Sequence, residues 1–387
     1  MGALKVFLVA GEPSGDALGA ALMAGFKQLR PDVVFAGIGG PLMEVQGMTS
    51  QFDMSELSLM GIAEVLPKYF HLKRRIAETA DAVIGQKPDV LITIDSPDFC
   101  LRVAKLVKAG SDIRTVHYVA PTVWAWRPGR AKKMAQMIDH VLALFPFEPP
   151  YMEAEGMACD FVGHPAANTL RATADECAVF RAAHGLADAD PLALVLPGSR
   201  RGEVARMGPV FGEVLGALAK SNPNMRMIVP AAPAVADAVQ ALVKDWPVPA
   251  HIIDIRGMDS ETAQATKRAA FAAADVALAT SGTVALELAA AGTPMVSAFD
   301  LNWLSRIIIP RMLITDTTCL VNLVTDSRVV PELIGFDFTA DNVRTAMEGL
   351  LADPSVQAEA MEQTMDLLGR GGEDPGVRAA RAVLDRL

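Results

Sequence analysis

The chain has 387 residues, 51% of them hydrophobic and 21% charged, which is too apolar for a disordered protein and long enough for two domains with cores of their own. With 35 Lys and Arg against 45 Asp and Glu the net charge is −10, so general nucleic-acid binding is disfavoured and any anionic ligand must meet a local cluster of cations. Cys100, Cys159, Cys177 and Cys319 form no Cys-x-x-Cys pair, which points to reduced thiols in a cytoplasmic protein and away from structural zinc.

The chain opens without a cleavable signal pattern and runs straight into a strand-like Lys5–Ala10. Short β-branched runs then alternate with Ala- and Leu-rich segments, and the predicted strands are Val33–Ile38, Val90–Asp95, Thr115–Val119, Val141–Phe145 and Asp160–Val162. Leu18, Leu22, Phe26 and Leu29 put one apolar stripe on the helix after the first strand. After the polar stretch Arg171–Pro191 the alternation restarts with Leu192–Leu196, Met225–Val229, Ile252–Ile255, Val276–Ala279 and Met295–Phe299. This is the signature of an α/β protein with parallel sheets: one Rossmann-like domain over 1–170, a second over 171–353, and helices over 354–387 that pack back on the first. Two such domains facing each other would place a ligand cleft at the carboxyl ends of their strands. The apolar stretch from Ala269 to Phe299 is interrupted by Asp275, Glu287, Gly and Pro, so no membrane span is expected.

The loop Gly11-Glu12-Pro13-Ser14-Gly15-Asp16 lacks the Gly-x-Gly-x-x-Gly spacing, and the chain has no Gly-x-x-x-x-Gly-Lys-Ser/Thr, so NAD and Walker-type ATP sites are disfavoured. Glu12 and Asp16 repel phosphate at a helix start; they suit sugar hydroxyls or simple capping, and both readings stay open. Pro197-Gly198-Ser199-Arg200-Arg201 delivers guanidinium charge at a helix start and could clasp a diphosphate, the alternative being a solvated turn. In Ser281-Gly282-Thr283 the glycine lets the backbone approach a ligand, with Glu287 a turn later to accept from ribose hydroxyls; a capped core helix is the alternative. Asp188-Ala189-Asp190 lies in a polar linker before a strand, so it reads as solvated, and neither a metal nor another cofactor is expected. Asp95-Ser96-Pro97-Asp98 puts two acids at a strand's carboxyl edge, where either could be a general base and either could cap the next helix. The six histidines show no ligand spacing and read as structural or surface groups, with His164 placed near the cleft.

Two segments combine apolar and basic residues. Leu57–Leu66, with Leu59, Met60 and Leu66, precedes Lys68, Lys73, Arg74 and Arg75; Trp124 and Trp126 precede Arg127, Arg130, Lys132 and Lys133. Either could meet an anionic bilayer or acyl chains beside a phosphate, while a core helix with a solvated basic end is the commoner meaning of such a pattern.

Taken in chain order, Gly11–Asp16, Gly37–Pro41, Leu59–Leu66, Ile94–Phe99, His117–Trp126, Leu196–Arg200 and Ser281–Thr283 resemble the lipid-A-disaccharide synthases over about the first 335 residues. The resemblance implies a GT-B type glycosyltransferase that joins UDP-2,3-diacylglucosamine to 2,3-diacylglucosamine 1-phosphate through a β-1,6 bond, with inversion and release of UDP. It implies a cytoplasmic enzyme, peripheral on the inner face of the inner membrane, whose partners are the two acylated glucosamines and an anionic surface, with a second copy of the chain as a candidate partner. On it, Asp98 or Asp95 is the base, and Gly198, Ser199, Arg200, Ser281, Gly282, Thr283, Glu287 and Asn322 bind the UDP-sugar. Glu12, Ser14, Gly15 and Asp16 face the acceptor, and Leu59, Met60, Leu66, Trp124 and Trp126 face acyl chains or membrane. Cys100 stands where the family usually has Asn, and Ala298-Phe299-Asp300 replaces an aromatic-basic segment. A UDP-sugar epimerase of the same fold and a non-catalytic lipid-binding protein are the alternatives, separated from the transferase by UDP release that depends on both lipid substrates.

Overall fold

The computed structural model describes residues 2–57 and 62–387, with the side chains of all of these except 62–68, 304 and 310. Leu59 and Met60 of the expected lipid-facing segment lie outside the described residues, as does the side chain of Leu66. The chain divides into two units, Met1–Pro165 with Gly371–Leu387, and Ala166–Arg370.

The first unit is built on six parallel strands, β1 (Lys5–Ala10), β2 (Val34–Ile38), β3 (Val90–Ile94), β4 (Arg114–Tyr118), β5 (His140–Ala143) and β6 (Ala158–Phe161), in the order β2-β1-β3-β4-β5-β6. Val90–Ile94 is buried along its whole length, because apolar runs without polar alternation need cover on both faces. The helices Pro13–Leu29 and Pro375–Leu384 contribute Leu22, Met23, Phe26 and Val383 to one core. Ile76, Val83, Phe99, Val103 and Val107, from the helices Ile62–Gln86 and Pro97–Gly110, build another. Each large side chain so buried contributes roughly 1.5–3 kcal/mol.

The first and last helices of this unit meet through bare backbone. A Cβ added at Gly25 would stand 2.3 Å from the Gly376 carbonyl oxygen, and one at Gly376 would stand 2.3 Å from that of Ala21. Asp374 fixes the start of the last helix by accepting from the backbone N–H of Gly376 at 2.8 Å and of Val377 at 3.3 Å. Of the segment 354–387, then, Gly371–Leu387 belongs to the first unit, whereas the helix Ala358–Leu367 packs on the helices Val284–Ala291 and Leu320–Thr325 of the second.

The second unit carries β7 (Leu192–Leu196), β8 (Arg226–Ala231), β9 (His251–Asp254), β10 (Val276–Thr280), β11 (Met295–Phe299) and β12 (Glu332–Ile334), all parallel, in the order β12-β11-β10-β7-β8-β9. β12 was not expected from the sequence: it has three residues, and the carboxylate of Glu332 accepts from the N–H and Oγ1 of Thr318 at 3.0 and 2.8 Å. In each sheet the direction of winding reverses once, between β1 and β3 and between β7 and β10, and open α/β sheets bind ligands beyond the carboxyl ends of the strands at such points. Among the described residues no helix is long and apolar enough to cross a membrane, and all four cysteines are free thiols.

Candidate active site

At the reversal point of the second unit the chain leaves β7 and turns at Gly198, whose φ of +124° favours glycine; a Cβ there would also stand 2.5 Å from that of Glu203. The helix Arg201–Ser221 begins at once, and Glu203 reaches back over its start. Its carboxylate accepts from the N–H of Ser199 at 3.0 Å and of Arg200 at 3.2 Å, and pairs with the Arg200 guanidinium at 2.7 Å. The Arg200 side chain is 66% exposed, so water weakens this pair and the guanidinium can exchange partners.

Next to it β10 ends in Ser281-Gly282-Thr283. A Cβ at Gly282 would meet open space, and the helix Val284–Ala291 starts with no side-chain cap. The N–H groups of Ala285 and Leu286 turn back to the carbonyls of Gly282 and Thr283 at 3.2 and 3.0 Å, while those of Gly282, Thr283 and Val284 make no hydrogen bond among the described residues and are left for an outside acceptor. Both loops line one pocket of about 580 Å³, with Ile253, Ile255 and Phe271 as apolar wall. Glu287 lies at this pocket and pairs with Lys267 at 2.5 Å. Thr280 also lines it, and its Oγ1 is buried without a hydrogen-bond partner among the described residues. An apolar wall beside two helix starts and a guanidinium suits a planar base joined to a diphosphate.

In the first unit β1 and β3 end side by side. Asp95 and Ser96 follow β3 in the left-handed region, with φ of +49° and +42°, a conformation that costs on the order of 1–3 kcal/mol each and gathers at functional sites. The two loops touch: a Cβ on Gly11 would stand 2.7 Å from Ser96 Oγ, which is itself buried without a partner among the described residues. Asp95 is half-buried; Asp98, second residue of the helix Pro97–Gly110, is exposed and lines a groove of about 950 Å³. Neither carboxylate makes a hydrogen bond or ion pair among the described residues, so both are available to a substrate.

The ionisable groups buried nearby serve the scaffold. Burial holds His117 down at about 4, with its Nδ1 2.8 Å from Thr93 Oγ1. It likewise holds His140 at about 4 despite Asp160 at 2.8 Å, and His164, stacked on Phe145, at about 4. The Glu148 carboxyl accepts from the N–H of Leu144 and Phe145 at 3.1 and 3.0 Å, and burial pushes it up to about 7.

Three expected site residues have other work. Asp16 is buried and accepts from the N–H groups of Gly40, Leu42 and Met43 at 2.8–3.0 Å, so its carboxylate caps the helix Pro41–Val45 and does not face a sugar. Asn322 is buried and donates to the Val330 carbonyl at 2.9 Å while accepting its N–H at 3.0 Å, which leaves its amide no reach toward a donor sugar. Trp124 is buried edge-on against Phe147, so of the expected pair only Trp126 reaches the surface. Gly15 is buried under the Ile94 carbonyl, while Glu12 is half-buried and Ser14 exposed at the first loop. Glu203, Lys267 and Thr280 went unnoticed in the sequence. Only Glu203 carried a signal there, its place three residues after a helix-capping position.

The chain matches the family model described as lipid-A-disaccharide synthetase over residues 6–376. It is 61% identical over 384 residues to lipid-A-disaccharide synthase from Ruegeria pomeroyi, covering 99% of this chain and 96% of that one. To lipid-A-disaccharide synthase from Rhodospirillum centenum it is 46% identical over 387 residues, covering 99% and 94%. Among solved structures it is similar to UDP-GlcNAc 2-epimerase from Neisseria meningitidis bound to UDP-GlcNAc, with a TM-score of 0.63, 14% identity and 99% of each chain covered. It is also similar to MurG from Acinetobacter baumannii, with a TM-score of 0.58, 13% identity and 99% of each chain covered. These two likenesses concern the fold, a pair of Rossmann-like units of the GT-B type.

Proposed function

The chain belongs to the lipid-A-disaccharide synthase family, and we propose how its residues divide the work of the family's reaction. It is a glycosyltransferase of lipid A biosynthesis that joins UDP-2,3-diacylglucosamine to 2,3-diacylglucosamine 1-phosphate and releases UDP. The observation that carries our reading is the meeting of Gly198-Ser199-Arg200 and Ser281-Gly282-Thr283 on one pocket at a chain reversal. In it the uracil lies against Ile253 and Ile255, and the ribose hydroxyls meet Glu287. The diphosphate takes the N–H groups after β10 and the Arg200 guanidinium, which leaves Glu203 for the phosphate.

Asp98 is the base, with Asp95 the second candidate; Glu12 and Ser14 border the acceptor sugar. As the acceptor oxygen attacks the anomeric carbon from the side opposite UDP, the Asp98 carboxylate takes its proton. The bond to the diphosphate breaks with its electron pair, and the charge formed is met by Arg200 and the backbone N–H groups. One carboxylate suffices, because a single displacement with inversion needs no enzyme nucleophile. The charge for the leaving group is supplied by the protein, so EDTA is expected to leave activity unchanged, and inactivation reversed by Mg²⁺ would refute this part.

The enzyme sits peripherally on the cytoplasmic face of the inner membrane in this proposal. Tyr69 and Phe70, 47% and 82% exposed ahead of Lys73 and Arg74 on the helix Ile62–Gln86, support it. Phe70→Ser should lower flotation with anionic vesicles without lowering thermal stability.

The test of the function as a whole is UDP release with each lipid substrate omitted in turn. Release only when both are present is expected. Release or isomerisation of the donor alone would overturn the reading.

A further inference from the structure

The helix Pro97–Gly110 presents Asp98, Leu101, Arg102 and Lys105, and residues three, four and seven apart share one face of a helix. The helix Gly129–Met134 and the turn after it repeat the spacing with Arg130, Lys133, Met134 and Met137. Both stripes line the 950 Å³ groove, together with Pro121, Trp126 and Arg127. Leu101, Met134 and Met137 give it apolar surface. Arg102, Lys105, Arg127, Arg130 and Lys133 give it five cations, with Asp98 the one acid lining it among the described residues.

Many arginines elsewhere in the protein hold carboxylates, as in Arg75–Glu56, Arg181–Asp275 and Arg328–Asp316. The side chains of Arg102, Lys105, Arg130 and Lys133 make no hydrogen bond or ion pair among the described residues. Arg127 lies over the Trp126 ring at 4.4 Å, and that ring is fixed by its Nε1 donating to Thr122 Oγ1 at 3.0 Å. In a chain of net charge −10, uncompensated cations gathered along a concave, partly apolar surface focus potential on an anion.

We propose that this groove holds the phosphate monoester of the acceptor, with the first methylenes of its acyl chains on Leu101, Met134 and Met137. The assignment rests on the glycosyltransferase reading above and names the residues that select a phosphorylated acceptor. A phosphate monoester carries close to two negative charges near neutrality, and guanidinium groups bind it in fork geometry. Seven residues separate Asp98 from Lys105, about 10 Å along the helix axis. That is the scale of a hexose phosphate measured from its far hydroxyl to its phosphate, so the cations that bind one end deliver the other to the base.

The test compares acceptor 1-phosphate with the same acylated sugar lacking phosphate, in detergent micelles, for wild type, R102Q/K105Q and the charge-keeping R102K/K105R. The expected result is that R102Q/K105Q raises KM for the phosphorylated acceptor by about tenfold or more while R102K/K105R recovers most of it. UDP affinity, which reports on the second unit, should stay within about twofold in all three. With the unphosphorylated acceptor the penalty of R102Q/K105Q should shrink to less than about threefold. An equal penalty with both acceptors would overturn the proposal. So would an unchanged KM accompanied by lost flotation with phosphatidylglycerol vesicles, which would give these cations to bilayer headgroups. A wild type that released no UDP from the two substrates would refute instead the reading on which the proposal rests.

Discussion

Asp98 sits one residue inside its helix, exposed and without a partner, which is the condition of a base waiting for its proton donor. Asp98→Asn keeps shape and removes the acceptor of that proton. Turnover should therefore fall by roughly 10²–10⁴-fold while UDP affinity stays unchanged, as steady-state kinetics and calorimetric titration would report. A variant within about threefold of wild type would move the role to Asp95. Arg200→Ala should weaken UDP binding by about tenfold or more, since the partner proposed for it is a diphosphate; unaltered affinity would remove Arg200 from the site. The positions of these residues could be read from the sequence because a Gly- or Pro-bearing turn after a β-branched run marks a strand's carboxyl end, and ligands bind there. Asp16 and Asn322 could not be assigned the same way. What a buried carboxylate or amide bonds to is decided by chain that folds onto it, for Asp16 by N–H groups 24 to 27 residues away.

Among elements, the strands rich in Val, Ile and Leu were legible, since period and composition agree; eleven of them fall within a few residues of their expected ends. β12 was not, because a three-residue edge strand with Glu332 in it carries neither signal. That the last helices pack back on the first domain was an expectation from the sequence, but the residues through which Pro13–Leu29 and Pro375–Leu384 touch were not legible, as nothing in either segment alone says that Gly25 and Gly376 will meet. The contact makes a sharp prediction. Ala ordinarily gains about 1 kcal/mol over Gly inside a helix, and Gly349→Ala, where a Cβ would meet open space, should show a gain of up to that size. Gly25→Ala should instead lose on the order of 1–3 kcal/mol, because the new methyl overlaps a backbone carbonyl that cannot swing aside. Denaturant unfolding of the two variants would reveal the opposite signs, and a stabilised Gly25→Ala would mean that the helices do not pack through these glycines.

Over the whole molecule, the buried titratable groups are unevenly shared, and acid should find the first unit before the second. His117, His140 and His164 stand at about 4 when folded and 6.5 when free, so between these values the unfolded chain takes protons that the folded one refuses. Each makes stability fall with falling pH, by up to about 1.4 kcal/mol per unit. Glu148 works the other way, since at about 7 its folded form keeps a proton that the free carboxyl, at 4.5, gives up. Three groups against one leave a net loss as pH falls from 6.5 to 4.5. Calorimetry should show the first unit's transition moving to lower temperature over that window while the second unit's moves less. A transition that holds or rises would contradict the burial of these histidines.

The first unit is made of two stretches of chain with the whole of Ala166–Arg370 between them. On the ribosome, therefore, order of synthesis and order of completion part company. The unit that holds the pocket at the β7–β10 reversal is contiguous and can close as soon as it emerges. The unit that bears Asp98 appears first yet waits for Val377, Ala379, Ala380 and Val383, all buried in its core and all translated after its neighbour is finished. Until they arrive, the nascent chain carries the helix Pro13–Leu29 with Gly25 uncovered, a standing invitation to chaperones and to other copies of itself.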